Sequence, residues 1–340
     1  LSEKMMKYNS STIVFLLMAF IANCQQYQIE IIPTNMPTSI RGLAALNDSV
    51  FWASGSNGYV GNSTDGGKSW QFKQIPGYDS AEFRDIEIIN EKTILVMSSV
   101  QPACILKSTD KGITWKKVYE DNRPEAFLDA MDFVGKKGIC VGDPINGKFL
   151  LLQTTNKGDS WQINEQCSAE DSVAAFAASG STIKYLKKGH IFFGTGGNKT
   201  MLYYSENDGK SWKKTNVPLQ SGAPSKGIFS IDFIDATIGA AVGGDYVSPN
   251  DYTGNFTMLV KNDSVWKSPL STNPNGYRSC IKFINPYLLI ACGTSGVDIS
   301  KNLSWMNISL EGYNVIAVSP STNTVLLAGN NGKIGKLKLN

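Results

Sequence analysis

Three arginines stand at similar positions in short strand-like segments: Arg41 in SIRGLAA, Arg84 in EFRDIEI and Arg278 in GYRSCIK. A guanidinium group presents its donors in a fixed fork that matches a carboxylate or a phosphate. If the three segments surround one channel, the arginines form a binding site for such an anion. Asp85 and Asp129 support a second interpretation, in which each arginine pairs with an aspartate and only joins neighbouring segments.

Further polar residues occur in or beside glycine-rich loops: Asp143 in GDP, Asp245 and Tyr246 in GGDY, and Asp298 just after GTSG. Tight turns need glycine, but they do not need a tyrosine such as Tyr246. Tyr277, beside the third arginine, joins the same set. Together with the arginines and the two aspartates named above, these residues are the predicted ligand-binding residues of a channel mouth.

The composition excludes several classes of chemistry. His190 is the single histidine in 340 residues, which excludes multi-histidine metal sites and allows at most one histidine-dependent catalytic centre. The net charge of +3 is too small for a nucleic-acid footprint. The chain also lacks a CxxC pair, a haem motif and a dinucleotide fingerprint. We therefore predict no metal, no cofactor and no nucleic-acid partner.

The elements that position these residues are visible in a repeat. Four segments share the pattern of Ser63-Thr64-Asp65-Gly66-Gly67-Lys68-Ser69-Trp70, and we call them the turn repeats. Their acidic or amide residue and their tryptophan are Asp65 and Trp70, Asp110 and Trp115, Asn156 and Trp161, and Asn207 and Trp212. With two weaker copies ending at Trp266 and Trp305, the tryptophans lie 45, 46, 51, 54 and 39 residues apart. This is the period of a four-stranded propeller blade.

The turn repeats are predicted to be structural. The Asp or Asn accepts hydrogen bonds from the turn, the glycine adopts positive φ, and the tryptophan ring packs between sheets. The short β-branched and aromatic runs around them show no long helical period. The sequence therefore predicts an all-β fold.

We predict a seven-bladed β-propeller. Seven inner strands are expected, at Ile40–Leu46, Phe83–Ile89, Phe127–Val134, Val173–Ser179, Ile228–Ile234, Tyr277–Ile284 and Tyr313–Val318. The last repeat runs out after three strands, and the early segment Tyr27–Ile32 can supply its fourth strand and close the ring.

The N-terminal residues resemble a signal peptide. An apolar run from Thr12 to Ala22 follows Lys4 and Lys7 and is too short to span a bilayer. We expect residues 1–24 to be a signal peptide and residues 25–340 to be one propeller domain, with lipid attachment at Cys24 as the alternative to secretion. No other apolar stretch is long enough for a membrane span.

Export permits disulfides, and one cysteine pair is informative. Cys280 and Cys292 lie in two strand-like runs joined through Asn285-Pro286, so an antiparallel hairpin places them opposite each other. A cross-strand disulfide and two small buried thiols are both consistent with this spacing.

The turn repeats resemble the Asp-box, or BNR repeat, of sialidases and other β-propellers. Together with Arg84-Asp85, Gly142-Asp143-Pro144, Gly243–Tyr246 and Gly276–Cys280, the chain resembles the photosystem II stability/assembly factor-like branch of these propellers over nearly its whole mature length. The resemblance implies a binding or assembly module without catalytic activity. It also implies that the boxes lie on the face opposite the ligand site.

Sialidases provide the competing interpretation. Their resemblance implies an arginine triad at Arg41, Arg84 and Arg278, with Tyr246 or Tyr277 as nucleophile and Asp85 or Asp143 as acid. Two departures oppose it: sialidases have six blades, and their Arg-Ile-Pro motif is replaced here by Arg41-Gly42-Leu43. We therefore expect a secreted binding module that takes a protein or an anionic glycan at the channel mouth, with a sialidase-like glycoside hydrolase as the alternative.

Overall fold

Runs of valine, isoleucine, leucine and phenylalanine, separated by turns of glycine, asparagine and aspartate, dictate a fold of short strands. The computed structural model describes residues 27–259, 265–268 and 272–339, and in these ranges the strands form seven sheets in which neighbours pair antiparallel. The inner strand of each sheet contacts the inner strands of the two adjacent sheets, and the last contacts the first. The predicted all-β, seven-bladed β-propeller is confirmed.

The blades follow one another along the chain, each with its strands in order from the channel outwards. Blade 1 has β2 (Ile40–Ala45), β3 (Phe51–Gly55), β4 (Tyr59–Ser63) and β5 (Gln71–Gln74). Blade 2 has β6 (Phe83–Asn90), β7 (Thr93–Ser98), β8 (Ala103–Ser108) and β9 (Lys116–Asp121). Blade 3 has β10 (Leu128–Val134), β11 (Lys137–Ile145), β12 (Lys148–Thr154) and β13 (Gln162–Asn164). Blade 4 has β15 (Ile183–Tyr185), β16 (Ile191–Gly194), β18 (Met201–Ser205) and β19 (Lys213–Asn216).

The remaining blades complete the ring. Blade 5 has β20 (Ala223–Asp235), β21 (Ile238–Asp245), β22 (Phe256–Leu259) and β23 (Trp266–Lys267), extended by β14 (Val173–Ala174) and β17 (Gly196–Gly197). Blade 6 has β24 (Cys280–Asn285), β25 (Leu288–Gly293), β26 (Gly296–Lys301) and β27 (Ser304–Ser309). Blade 7 has β28 (Val315–Val318), β29 (Val325–Ala328), β30 (Ile334–Leu339) and, outermost, β1 (Tyr27–Ile32). Two 3₁₀ turns occupy Lys187–Gly189 and Asn330–Gly332.

Blade 7 combines both ends of the described chain. β1 pairs antiparallel with β30, in a register that sets Ile29 opposite Leu337 and Ile31 opposite Gly335. The predicted signal peptide at residues 1–24, with Cys24, lies outside the described residues. No helix within the described ranges is long and apolar enough to cross a membrane.

The hydrophobic core lies between blades. Leu95, Met97 and Ile105 of blade 2, for example, pack in one buried cluster with Leu128 and Leu152 of blade 3. Such sheet-on-sheet packing hides both faces of every middle strand, which is why β7 and β8 are buried along their whole length.

The predicted inner strand at Val173–Ser179 is wrong. β15 forms the inner strand of blade 4, whereas Val173 and Ala174 pair with Gly197 and Gly196 at the edge of blade 5. Residues 175–182, which we call the crossing segment, pass through the channel and contact blades 1, 2, 5 and 6. The sequence AFAASGST resembles an inner strand because neighbouring blades bury it, although it pairs with none of them as a strand.

Aspartates of the inner strands join consecutive blades. Asp85 accepts a hydrogen bond from the Met131 N–H at 2.7 Å, and Asp132 accepts one from the Tyr185 N–H at 2.6 Å. Asp232 accepts the Phe283 N–H at 2.8 Å in the same way. Each carboxylate satisfies a backbone donor of the next blade, which would otherwise be buried without a partner.

Candidate functional site

The turn repeats use their polar atoms internally. The Asp65 carboxylate accepts hydrogen bonds from the backbone N–H and the hydroxyl of Ser69 at 3.0 and 2.6 Å, and from the Ser63 hydroxyl at 2.8 Å. These bonds lower the pKa of Asp65. Asp110 is held in the same way, and hydrogen bonds from Thr114 lower its pKa to about 2. With these acceptors occupied, neither carboxylate is placed to bind a ligand.

The other two turn repeats have the same geometry with an amide. Asn156 and Asn207 each accept the backbone N–H of the serine four residues later. The repeat glycines adopt positive φ, for example +82° at Gly67. The tryptophan rings pack against neighbouring side chains. Trp161 meets Phe133 edge-to-face with ring centroids 5.7 Å apart, and Trp70 stacks on Phe72 with ring centroids 5.8 Å apart. Trp115 and Trp212 also pack, partly buried, against hydrophobic clusters of the core.

A cavity of about 490 Å³ opens on the opposite face, where the loops between second and third strands lie. We call it the upper cavity. Six of the ten predicted mouth residues line it: Arg41, Arg84, Asp129, Asp143, Tyr246 and Tyr277. The turn repeats follow third strands, so the antiparallel order of each blade puts them at the other end of the channel.

Arg41 and Arg84 have free donors in this cavity. Each is the second residue of an inner strand, which aims both side chains at the channel. Within the described residues each guanidinium makes one hydrogen bond, from Arg41 to the Ala178 carbonyl at 3.2 Å and from Arg84 to the Ala177 carbonyl at 3.3 Å. Burial, and then the nearby charge of Arg84, lowers the pKa of Arg41. Two positive charges with unused donors favour an anionic ligand.

Arg278 does not join them. It precedes β24 and is fully buried, with Nε 2.6 Å from Asp298 and further bonds to the Tyr277 carbonyl and the Ser295 hydroxyl. Asp298 also accepts the Asn275 N–H. The predicted cluster of three arginines is therefore two arginines at the cavity and one buried ion pair in blade 6.

Two carboxyl groups face the upper cavity without full hydrogen bonding. Asp129 has no exposed surface, and neither of its oxygens has a partner in the described structure. Burial, and then the charge of Asp143, raises the pKa of Asp129 well above its usual range, while Arg84 partly offsets this. Burial also raises the pKa of Asp143 to about 6.

The remaining predicted mouth residues lie elsewhere. Asp85 faces a second cavity of about 320 Å³, the lower cavity, on the other side of the crossing segment. Burial raises the pKa of Asp85 to about 8. Asp245 is buried in a turn, where it accepts the Val247 N–H at 3.0 Å.

The lower cavity contains the inner-strand carboxylates and two lysines. Lys184 lies 3.8 Å from Asp132 and 4.0 Å from Asp232, and Lys282 and Glu87 are further charged residues of the lining. Across the described ranges, no group of three or more His, Cys, Asp or Glu residues is arranged to hold a metal ion.

Aromatic residues form one wall of the upper cavity. Phe176 of the crossing segment stacks on Phe229 with ring centroids 3.9 Å apart, and Tyr277 meets Phe229 edge-to-face at 4.8 Å. Tyr246 stands at the rim, 51% exposed. Sequence reasoning did not assign Phe176 or Phe229 to the site. Phe176 reaches the channel only through the path of the crossing segment, whereas Phe229 lies in the inner strand β20.

The cysteine pair lies as the hairpin predicted. Cys280 and Cys292 are directly opposite each other in β24 and β25, and both are buried free thiols. The Cys280 sulfur accepts the Ile316 N–H at 3.4 Å, which links blade 6 to blade 7. The structure therefore has two buried thiols here and no disulfide.

The sequence matches no family model and no curated protein. Among solved structures the chain is similar to YCF48 bound to a D1 peptide, with a TM-score of 0.66 and 12% identity over 92% of this chain and 97% of that one. It is similar to the WD40 repeats of RRP9, with a TM-score of 0.67 and 11% identity over 91% and 97%. It is also similar to an inactive virginiamycin B lyase from Staphylococcus aureus, with a TM-score of 0.64 and 15% identity over 92% and 100%. Similarity at this level shows the β-propeller fold, and a fold alone does not assign a function.

Proposed function

We propose that this protein is a binding module that holds a carboxylate-bearing segment of a partner protein in the upper cavity. The observation that carries the proposal is the pair Arg41 and Arg84, whose guanidinium groups face an open cavity with most of their donors unused. Partly buried arginines without anionic partners carry a desolvation cost, and a bound carboxylate supplies the missing acceptors.

The rim of the cavity supports a protein partner. The loop between β21 and β22 exposes Tyr246, Val247 and Tyr252, which are 51, 69 and 59% accessible. Exposed aromatic and aliphatic side chains beside an arginine site are typical of protein interfaces. YCF48, a structural neighbour, has been solved with a D1 peptide bound, which supports a peptide ligand for a propeller of this shape.

We further propose that the chain is an exported Asp-box propeller. The apolar run at residues 12–22 and the internally bonded turn repeats support this part of the proposal. N-terminal sequencing and mass analysis of the protein made in a host with a secretory pathway test it, since cleavage after Cys24 and a lipid on Cys24 give different masses.

A glycoside hydrolase is less well supported. Tyr277 and Asp143 do stand beside the arginines, as a tyrosine nucleophile and an acid would. However, burial raises the pKa of Tyr277, and among the described residues no glutamate lines the upper cavity to activate the phenol. Arg278, the third arginine of the expected triad, is occupied by Asp298.

The proposal is tested with a displayed library of random peptides that end in a free carboxylate. We expect the protein to enrich peptides that bind it at micromolar concentration, and amidation of the chain end or replacement of internal acidic residues identifies the carboxylate that binds. The double variant Arg41→Gln, Arg84→Gln should lose this binding by about 100-fold, because two charge-assisted contacts disappear.

Arg123→Gln is the matched control. Arg123 is a half-exposed arginine that pairs with Asp121 and does not line the upper cavity. It should leave binding unchanged. Enrichment of the same peptides by the double variant at equal affinity would contradict the proposal. Hydrolysis of a fluorogenic sialoside by the wild type, lost in Arg84→Gln, would favour the hydrolase instead.

A further inference from the structure

Asp129 differs from the other inner-strand aspartates. Asp85, Asp132 and Asp232 each accept a backbone N–H from the next blade, so the fold itself uses them. Asp129, the second residue of β10, is completely buried and has no hydrogen-bond partner on either oxygen within the described residues. Burying a carboxyl group in this way destabilises the fold and joins no blades. Asp129 is one of the residues that line the upper cavity.

A second carboxyl group stands nearby. Asp143 accepts a backbone N–H from Ala175, but its Oδ1 atom is buried without a partner. Burial, and then the repulsion from the charge of Asp143, raises the pKa of Asp129. A cation between or beside the two carboxyl groups removes this repulsion and supplies the missing donors.

The aromatic wall suits the same cation. Phe176, Phe229 and Tyr277 line the cavity together with the two carboxyl groups. Aromatic faces attract ammonium groups, and carboxylates next to aromatic rings are a favourable environment for an amine. Arg41 and Arg84 supply the complementary environment for an anion in the same cavity.

We propose that the upper cavity binds a zwitterionic, amino-acid-like group, with its ammonium on Asp129 and Asp143 and its carboxylate on Arg41 and Arg84. The inference rests on the proposed function in that the ligand enters the same cavity, and it adds a requirement for positive charge on the ligand. With both carboxyl groups ionised, the four side chains sum to zero charge, which matches a zwitterion better than a simple anion.

The test compares three probes of the same shape by titration calorimetry at neutral pH. L-Phenylalanine is a zwitterion, N-acetyl-L-phenylalanine is a monoanion and L-phenylalaninamide is a monocation, and the side chain suits the aromatic wall. We expect L-phenylalanine to bind at least about tenfold more tightly than either analogue, since each analogue leaves either the two arginines or the two aspartates without a partner.

Proton release provides an independent readout. The titratable and charged groups that line the cavity are Arg41, Arg84, Asp129, Asp143, Tyr246 and Tyr277. Glu82 acts on Arg41 as a further nearby charge. An ammonium lowers the pKa of both aspartates, so L-phenylalanine should release protons when it binds and N-acetyl-L-phenylalanine should not. Titrations in two buffers of different ionisation enthalpy measure this difference.

Asp129→Asn and Asp143→Asn locate the cation. Each variant should reduce the preference for L-phenylalanine over its N-acetyl analogue to about twofold or less, while affinity for the analogue is kept. Asp251→Asn changes a partly exposed aspartate of the β21–β22 loop that does not line the cavity; it is the matched control and should keep the full preference. Thermal melts establish that the variants are folded, and two independent positions keep the test decisive if one of them unfolds.

Equal affinity of the wild type for L-phenylalanine and its N-acetyl analogue would overturn the inference, as would the absence of L-phenylalanine binding at millimolar concentration. Peptide binding that depends on Arg41 and Arg84 but not on Asp129 would leave the proposed function standing and remove only the zwitterion. If the wild type binds L-phenylalanine but no peptide, the zwitterion inference stands and the proposed function is contradicted.

Discussion

The two ends of the central channel contain the same kinds of residue in opposite situations. In the lower cavity, Asp85, Asp132 and Asp232 accept backbone donors from adjacent blades. In the upper cavity, Asp129 has no partner and Arg41 has one weak contact. The difference shows that the type of a charged residue does not tell whether it joins two blades or lines the cavity for a ligand. What separates the two cases is whether a backbone N–H or carbonyl of the next blade lies within reach.

The largest expected effect is a loss of stability caused by a substitution in the lower cavity. Asp85→Ala removes the acceptor of two buried N–H groups, those of Ile86 and Met131. We expect a loss of about 3 kcal/mol in the free energy of unfolding, because each orphaned donor costs roughly 1–3 kcal/mol. Urea denaturation measures the loss. Asp129→Ala in the upper cavity is the matched substitution, and a loss of the same size there would break the comparison.

The next effect is a gain in stability at the upper end that depends on pH. Asp143 has a pKa of about 6 in the folded protein, above the ordinary aspartate value of 3.8, so the fold disfavours its ionised form. This penalty is absent below about pH 4 and is complete above about pH 6. Asp143→Asn should therefore be more stable than the wild type by about 2 kcal/mol at pH 7.5 and equal to it at pH 4. Urea denaturation at the two pH values checks this, and a gain of equal size at both would show that the carboxyl charge is not its cause.

The smallest effect concerns the crossing segment that separates the two cavities. Gly180 has φ +66°, and a Cβ there would lie 2.2 Å from the Asp85 carboxylate. Gly180→Ala should cost about 1–2 kcal/mol through backbone strain and displacement of that carboxylate. Gly135→Ala is the matched control, since Gly135 has φ +65° but open space around its Cβ. Equal losses would mean that the contact with Asp85 contributes nothing.

The sequence predicts the features that depend on local order. The spacing of Trp70, Trp115 and Trp161 gives the blade period because each turn repeat folds within its own hairpin. Arg41 and Arg84 are predicted at the channel because both lie at the start of an inner strand, although the strand register shifts at each of them. Local periodicity therefore accounts for the ring and for two of the cavity residues.

Features that depend on distant contacts are missed. Residues 175–182 have the small, apolar composition of an inner strand, and only the assembled ring shows that they cross the channel instead. Arg278 resembles the other arginines in its sequence context, yet its irregular backbone before β24 turns it towards Asp298 and Ser295. No pattern of neighbouring letters distinguishes these cases, since partners 17 to 20 residues away decide the position of Arg278 and partners 49 to 137 residues away decide that of the crossing segment.

The crossing segment also determines how a ligand can travel. Ala174–Ala178 line the upper cavity and Ser179–Ser181 line the lower one, so the segment is a floor between them. The upper cavity is therefore open at one end only and does not continue through the ring. A bound molecule must leave by the route it entered, on the side where Tyr246 is half exposed, so escape along that one route determines its dissociation rate.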